Sequence, residues 1–147
     1  MKFQPQPAGS SARPYGPALE RLRGVGLRPT RQRLALAKLL FDTHDRHVTA
    51  EMLHGEALRA RVRVSLATVY NTLHQFTDAG LLREIVVDAE RSYFDTNVSN
   101  HHHLFDEGSR HLHDIPEADV RMDSLPPLPA GMEVSRVDVI VRIKKAQ

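Results

Sequence analysis

Between Ser65 and Asp78 the apolar residues Leu66, Val69, Leu73 and Phe76 recur at three- and four-residue intervals, which keeps them in one stripe of a helix turning about 100° per residue. Ser65 is placed to cap that helix and Gly80 to end it. Three helical patterns precede it. A short one runs from Ala18 to Val25 and is stopped by Gly24 and Gly26. A second enters through Pro29 and Thr30 and carries Leu34, Leu36, Leu39, Leu40 and Phe41; a third follows the capping Thr49, with Glu51 in its first turn and Met52, Leu53, Glu56 and Ala57 behind. After Gly80 the pattern changes to β. Leu82 to Asp88 and Arg91 to Asp95 are β-rich runs joined by the turn Asp88-Ala89-Glu90-Arg91. Strands are predicted at His101 to Asp106, at His111 to Ile115, and in a final run where Val137, Val139, Val141 and Ile143 alternate with polar residues. Pro126, Pro127, Pro129 and Gly131 mark a loop before that run. Helices followed by a β-hairpin is the order of a winged helix-turn-helix, so the expected class is α+β.

Composition changes the picture in three ways. Met1 to Pro17 holds four prolines among glycines and serines and cannot bury enough apolar surface to offset ordering, which predicts a flexible arm. The charge is uneven: 13 basic and 7 acidic residues up to Val87, 7 and 11 after it, leaving halves of +6 and −4. A basic half beside an acidic one points to a polyanion-binding module joined to something else. Cysteine is absent, which excludes disulfides, iron–sulfur clusters, thiolate zinc and cysteine nucleophiles. Any metal must therefore be held by Asp, Glu or the nine histidines. No apolar run approaches the ~20 residues that span a bilayer, and the N-terminus lacks the order of a secretory signal, so the expected location is the cytoplasm.

The face of the Ser65–Asp78 helix opposite its apolar stripe presents Ala67, Thr68, Asn71 and Gln75, with Tyr70 and His74 on the flank. Small residues allow close approach to DNA, amides pair with base edges, and a phenol or methyl meets thymine methyls. A plain solvated helix face is the alternative. Arg28, Arg31 and Arg33 precede the second helix or open it, and Arg59, Arg61 and Arg63 lie just before the fourth, where they could neutralise phosphates flanking the candidate reading helix.

Four separated stretches then match one family in order and spacing: Leu27-Arg28-Pro29-Thr30-Arg31-Gln32-Arg33, His47-Val48-Thr49-Ala50-Glu51, Ser65-Leu66-Ala67-Thr68-Val69-Tyr70-Asn71-Thr72-Leu73, and Asp78-Ala79-Gly80-Leu81-Leu82. They resemble the ferric uptake regulator superfamily over about residues 18 to 145. The run Phe94-Asp95-Thr96-Asn97-Val98 into His101-His102-His103, with Asp114-Ile115-Pro116, resembles its iron response regulator branch. The resemblance implies a homodimeric repressor of iron and haem genes, with a winged-helix DNA-binding domain over residues 18–96 and a small C-terminal α/β domain over 97–147 for dimerisation and sensing. It implies AT-rich operators contacted through Arg28, Arg31, Arg33, Ser65, Ala67, Thr68, Tyr70, Asn71 and Gln75. At position 71 the ferric uptake regulators carry arginine. Asn71 favours adenine where a guanidinium favours guanine, so a different operator preference is expected.

By the same register His47, Asp95, His103 and Asp114 fall on the family's regulatory metal positions, at the hinge between domains. Imidazole and carboxylate suit Mn²⁺, Fe²⁺ or Zn²⁺, with Asp95 and Asp114 one methylene shorter than the glutamates common there. Haem is implied as an effector, with His101, His102 and His103 as its ligands and a haem-synthesis enzyme as a further partner. Alternation along a strand sends His101 and His103 to one face and His102 to the other. The bland alternative is a polar strand and a histidine near a helix start. The family's Cys-x-x-Cys structural zinc cannot form; Asp106 and Ser109 stand at its first pair. A second metal site is broken at Asn100 and Arg121, although His102, His111 and His113 could rebuild one. Outside iron and haem control, the expectations include a manganese-, zinc- or peroxide-responsive regulator of the same superfamily, and a winged helix used only for protein contacts. An enzyme is not expected, because His54-Gly55-Glu56 lacks the Cys-x-x-Cys of zinc deaminases and no His-Glu-x-x-His occurs.

Overall fold

The computed structural model describes residues 14–147. The arm expected over residues 1–17 lies outside them up to residue 13. Its last residues differ from expectation: helix α1 spans Gly16–Gly24, two residues earlier than Ala18, because Pro17 sits in its first turn, where the missing N–H costs nothing.

The other helices are α2, Arg31–Phe41, α3, Ala50–Arg59, and α4, Leu66–Asp78. Each is opened by a hydroxyl, at Thr49 and Ser65 the predicted cap and at Thr30 the end of the predicted entry. Thr30 accepts from the Arg33 N–H at 3.2 Å, Thr49 from Met52 at 3.1 Å and Ser65 from Thr68 at 3.1 Å. Gly80 ends α4 at φ 85°, and the Leu81 N–H closes the turn on the Phe76 carbonyl at 2.9 Å. Arg61 takes the same left-handed place after α3, at φ 58°, with the Val62 N–H on the Ala57 carbonyl at 2.8 Å.

Strand β1, His47–Val48, pairs antiparallel with β3, Arg91–Asp95, which lies beside β2, Arg83–Asp88. Two residues of alternation are too few to read β1 from sequence. It is held by the Thr96 N–H on the Arg46 carbonyl and the Arg46 N–H on the Thr96 hydroxyl, both 2.9 Å, while Arg46 grips Glu56 with two N–H donors at 2.8 and 2.7 Å. Leu22, Leu36, Leu40, Leu53, Val69, Leu73, Phe76 and Phe94 form the fully buried core of this part.

A second sheet orders β5, Leu112–Pro116, then β4, His101–Asp106, then β6, Ile140–Ile143. β4 runs antiparallel to β5 and parallel to β6. A parallel pair needs a long crossover, commonly helical. Here residues 117–139 hold only the 3-10 turn Glu117–Asp119, and Pro126, Pro127 and Pro129 forbid a helix interior. The expected α+β class is what the fold shows, and among the described residues the C-terminal part is a β-sheet with one 3-10 turn. β6 also begins later than expected, since the Val139 N–H donates to His102 Nδ1 at 3.2 Å instead of joining a ladder.

The chain divides into two compact units. One comprises the residues up to Val86 with Ser92–Val98, and the other Val87–Arg91, the tip of the β2–β3 hairpin, with Ser99–Gln147. In the second, the Arg142 guanidinium donates to the Val87 carbonyl.

Candidate metal ligands and nucleic-acid interface

α4 buries Val69, Thr72, Leu73 and Phe76 and leaves Ala67, Asn71 and Gln75 exposed, with Thr68 and Tyr70 half-buried at the margin. One side therefore belongs to the core and the other carries the groups expected to read DNA. Ser65 is committed to its cap, since its Oγ also donates to Thr68 Oγ1 at 2.9 Å. Arg28 and Arg31 are exposed. Arg33 is engaged inside the unit: its Nε and Nη2 donate to Gln75 Oε1 at 3.2 and 2.9 Å, and its Nη1 to the Arg28 carbonyl at 2.9 Å. Arg33, one of the expected DNA contacts, thus also braces Gln75. Arg31, Arg61 and Arg63, with Tyr15, line a groove of about 600 Å³ floored by Leu34, Ala35 and Val62. Three guanidiniums on a shallow apolar floor suit a sugar-phosphate backbone.

Glu51 was visible in the sequence only as a favourable charge at a helix start. In the fold its Oε1 accepts a hydrogen bond from the Tyr70 phenol at 2.6 Å. That bond holds the Glu51 carboxyl below its usual range and pushes the Tyr70 hydroxyl above the ordinary tyrosine value. No spacing rule joins positions 51 and 70; only the packing of α3 on α4 does.

The four expected metal ligands occur as two cross-strand pairs, one in each unit. In the first, His47 on β1 lies directly opposite Asp95 on β3. Asp95 is fully buried, and its Oδ1 accepts the Asn97 N–H at 2.9 Å. Burying a carboxylate requires hydrogen bonds or a cation to compensate its charge. In the second, His103 on β4 lies opposite Asp114 on β5, with Nε2 3.4 Å from Asp114 Oδ1. His101 Nε2 approaches the same oxygen at 3.4 Å, and its Nδ1–H donates to the Ser99 carbonyl at 2.7 Å, because a carbonyl can only accept. Directly opposed cross-strand positions bring a short carboxylate and an imidazole within reach of one ion, and the donor set fits Mn²⁺, Fe²⁺ or Zn²⁺.

The triple-histidine run divides as alternation requires. The rings of His101 and His103 meet edge to face, 4.5 Å apart, while His102 points away from them. All three are buried. Because His102 Nδ1 accepts the Val139 N–H, the neutral ring carries its proton on Nε2 and has no lone pair left for iron. His111, just before β5, and His113 on it are exposed with ring centroids 6.3 Å apart, and they gather no third ligand among the described residues. Where the structural zinc pair is missing, Asp106 closes the turn itself. Its Oδ1 accepts the N–H groups of Gly108 and Ser109 at 2.9 and 3.2 Å, and the bonds from Ser109 hold its carboxyl below the usual range.

The model of the ferric uptake regulator family matches residues 24–139. A peroxide-responsive repressor of Staphylococcus epidermidis is 36% identical over 86 residues, 58% of this chain and 57% of that protein; its Staphylococcus aureus counterpart gives the same figures. The match thus spans little more than half the length of these relatives. Among solved structures, the manganese-bound ferric uptake regulator of Pseudomonas aeruginosa superposes with a TM-score of 0.68 at 24% identity, covering 88% of this chain and 98% of its own. That of Vibrio cholerae superposes with a TM-score of 0.66 at 21% identity, covering 86% and 98%. Both likenesses concern the fold.

Proposed function

This chain belongs to the ferric uptake regulator family, whose members are metal-responsive DNA-binding transcription regulators and not enzymes, and on that premise we propose how it binds its ligands. The pairs His47/Asp95 and His103/Asp114 together hold one divalent ion, Mn²⁺, Fe²⁺ or Zn²⁺, and occupancy sets the angle at which α4 is presented to DNA. The observation that carries this reading is the repetition of one motif, a His directly opposite an Asp, on two separate sheets. The ion supplies a charge-dense clamp; the chain supplies four donors and the two rigid ladders that orient them. Regulators of this family bind operator DNA as dimers. AT-rich DNA met by Arg28, Arg31, Thr68, Tyr70, Asn71 and Gln75, and a cytoplasmic homodimer, belong to the same proposal.

A peroxide-responsive regulator is the finer reading supported by the name of the relatives. With no cysteine, such a response would run through the metal, its imidazoles or methionine, since no thiol is present to oxidise. The iron- and haem-responsive reading rests on the resemblance of Phe94 to Val98, the histidine run and Asp114 to Pro116 to the iron response regulator branch. It meets the burial of His101, His102 and His103 and the occupied Nδ1 of His102, so haem binding there would need β4 to open.

Binding of a selected DNA duplex by chelator-treated protein, and by the same protein reloaded with Mn²⁺, Fe²⁺ or Zn²⁺, tests the proposal. Peroxide and haem are added separately in further arms. The expected result is metal-dependent DNA binding that falls steeply with salt. DNA binding identical with and without metal overturns it. Reversal by peroxide supports the peroxide arm, and reversal only by haem restores the other.

A further inference from the structure

The bond between Tyr70 and Glu51 decides which way a reading group faces. Tyr70 lies at the margin of the exposed face of α4, and Glu51 is exposed in the first turn of α3. Their 2.6 Å separation is that of a hydroxyl donating to a charged oxygen. An ionised carboxylate can only accept, whereas a phenol has one proton to give and lone pairs to offer. A phenol without such a partner rotates, and can either donate to guanine O6, guanine N7 or thymine O4, or accept from an amino group. It then discriminates weakly. With its proton held by Glu51, only the acceptor side is left to face outward.

We infer that Glu51 is a specificity-determining residue that acts through Tyr70, making the phenol an acceptor so that the base it meets is selected for a major-groove amino group, adenine N6 or cytosine N4. The inference rests on the proposed DNA-reading role of α4. It is compatible with the Tyr70 ring lying on a thymine methyl, because an A·T pair shows that methyl and adenine N6 in the same groove. Glu51 is a positioning residue here, and its charge has the wrong sign for a phosphate contact. A carboxylate close to a polyanion weakens binding to every sequence. Removing its charge should therefore strengthen binding to unrelated DNA while relaxing the choice of base, a combination that a merely structural side chain would not produce.

The test uses the full chain in saturating Mn²⁺, with the wild type, Glu51→Gln, Tyr70→Phe and the double variant each selecting from a random duplex pool. Competition between the selected site and single-base variants follows, with thermal melting to show that each protein is folded. The amide that Glu51→Gln introduces can itself donate to the phenol oxygen and turn the phenol proton outward. Glu51→Gln is expected to lose roughly five- to tenfold of discrimination at one base pair, moving towards guanine or thymine there, and to bind unrelated DNA more tightly. Tyr70→Phe should lose the same preference, and adding Glu51→Gln to it should change no base further. A wild type that enriches a site, beside a folded Glu51→Gln with the same preference at every position, overturns this inference alone. A wild type that enriches nothing overturns the DNA-binding proposal and the inference with it.

Discussion

Arg33, in the first turn of α2, holds the side-chain oxygen of Gln75 near the far end of α4 with two N–H donors, and anchors the loop carbonyl of Arg28 with a third. The Gln75 amide oxygen is thereby occupied, which leaves its NH₂ to donate. A lysine keeps the charge but not the planar fork. Arg33→Lys is expected to weaken operator binding about tenfold, the worth of roughly one lost charged hydrogen bond, with the salt dependence unchanged. A fall in the salt slope by about one unit would make Arg33 a phosphate contact instead.

His103→Ala and Asp95→Ala each remove one member of a cross-strand pair. Loss of a direct ligand should lower Mn²⁺ affinity at least as much as the ~10–100-fold cost of losing an outer-shell partner. Calorimetric titration measures it directly. The stabilisation by metal, about 2.7 kcal/mol at a hundredfold excess over Kd for the wild type and seen as a rise in melting temperature, should fall to about 1.4 kcal/mol or less in both. Wild-type metal binding in both variants would remove these residues from the site.

Arg61→Gly should make the protein more stable and the regulator weaker. At φ 58° an arginine pays the left-handed penalty of about 1–2 kcal/mol, partly offset by the entropy glycine loses on folding. Denaturant melts should show a net gain of about 0.5–1 kcal/mol. DNA affinity should fall and the salt slope drop by about one, because Arg61 lines the basic groove with Arg31 and Arg63.

The Tyr70–Glu51 bond sets a pH window. Glu51 is depressed in the folded chain, so its contribution is present above the unfolded carboxylate value of ~4.3 and is lost as pH falls through the lowered folded value. Tyr70 is raised, so its contribution is present below about 10 and is lost as pH rises through the elevated folded value. Phenolate absorbance, taken as the difference between wild type and Tyr70→Phe, should show Tyr70 ionising later than an ordinary tyrosine. Glu51→Gln should return it towards that ordinary value.

What the linear order of residues determined was local. The stripes of α2, α3 and α4, the hydroxyl caps at Thr30, Thr49 and Ser65, the stop at Gly80 and the alternation of His101, His102 and His103 follow from period and from backbone chemistry within a few residues, so they were legible. The family resemblance placed His47, Asp95, His103 and Asp114. The rest needed the chain to fold back on itself. β1 is two residues long and exists because β3 offers it a ladder. The loop before β6 could be read in Pro126, Pro127 and Pro129. Arg33 on Gln75, Glu51 on Tyr70 and Val139 on His102 join positions with no periodic relation. Hydrogen-bond direction at such a contact depends on which donor meets which acceptor across packed elements, and only tertiary structure decides that. The uneven charge of the two halves pointed to a basic module for a polyanion; only the fold shows that Arg28 and Arg31 are exposed while the Arg33 guanidinium is bonded to Gln75.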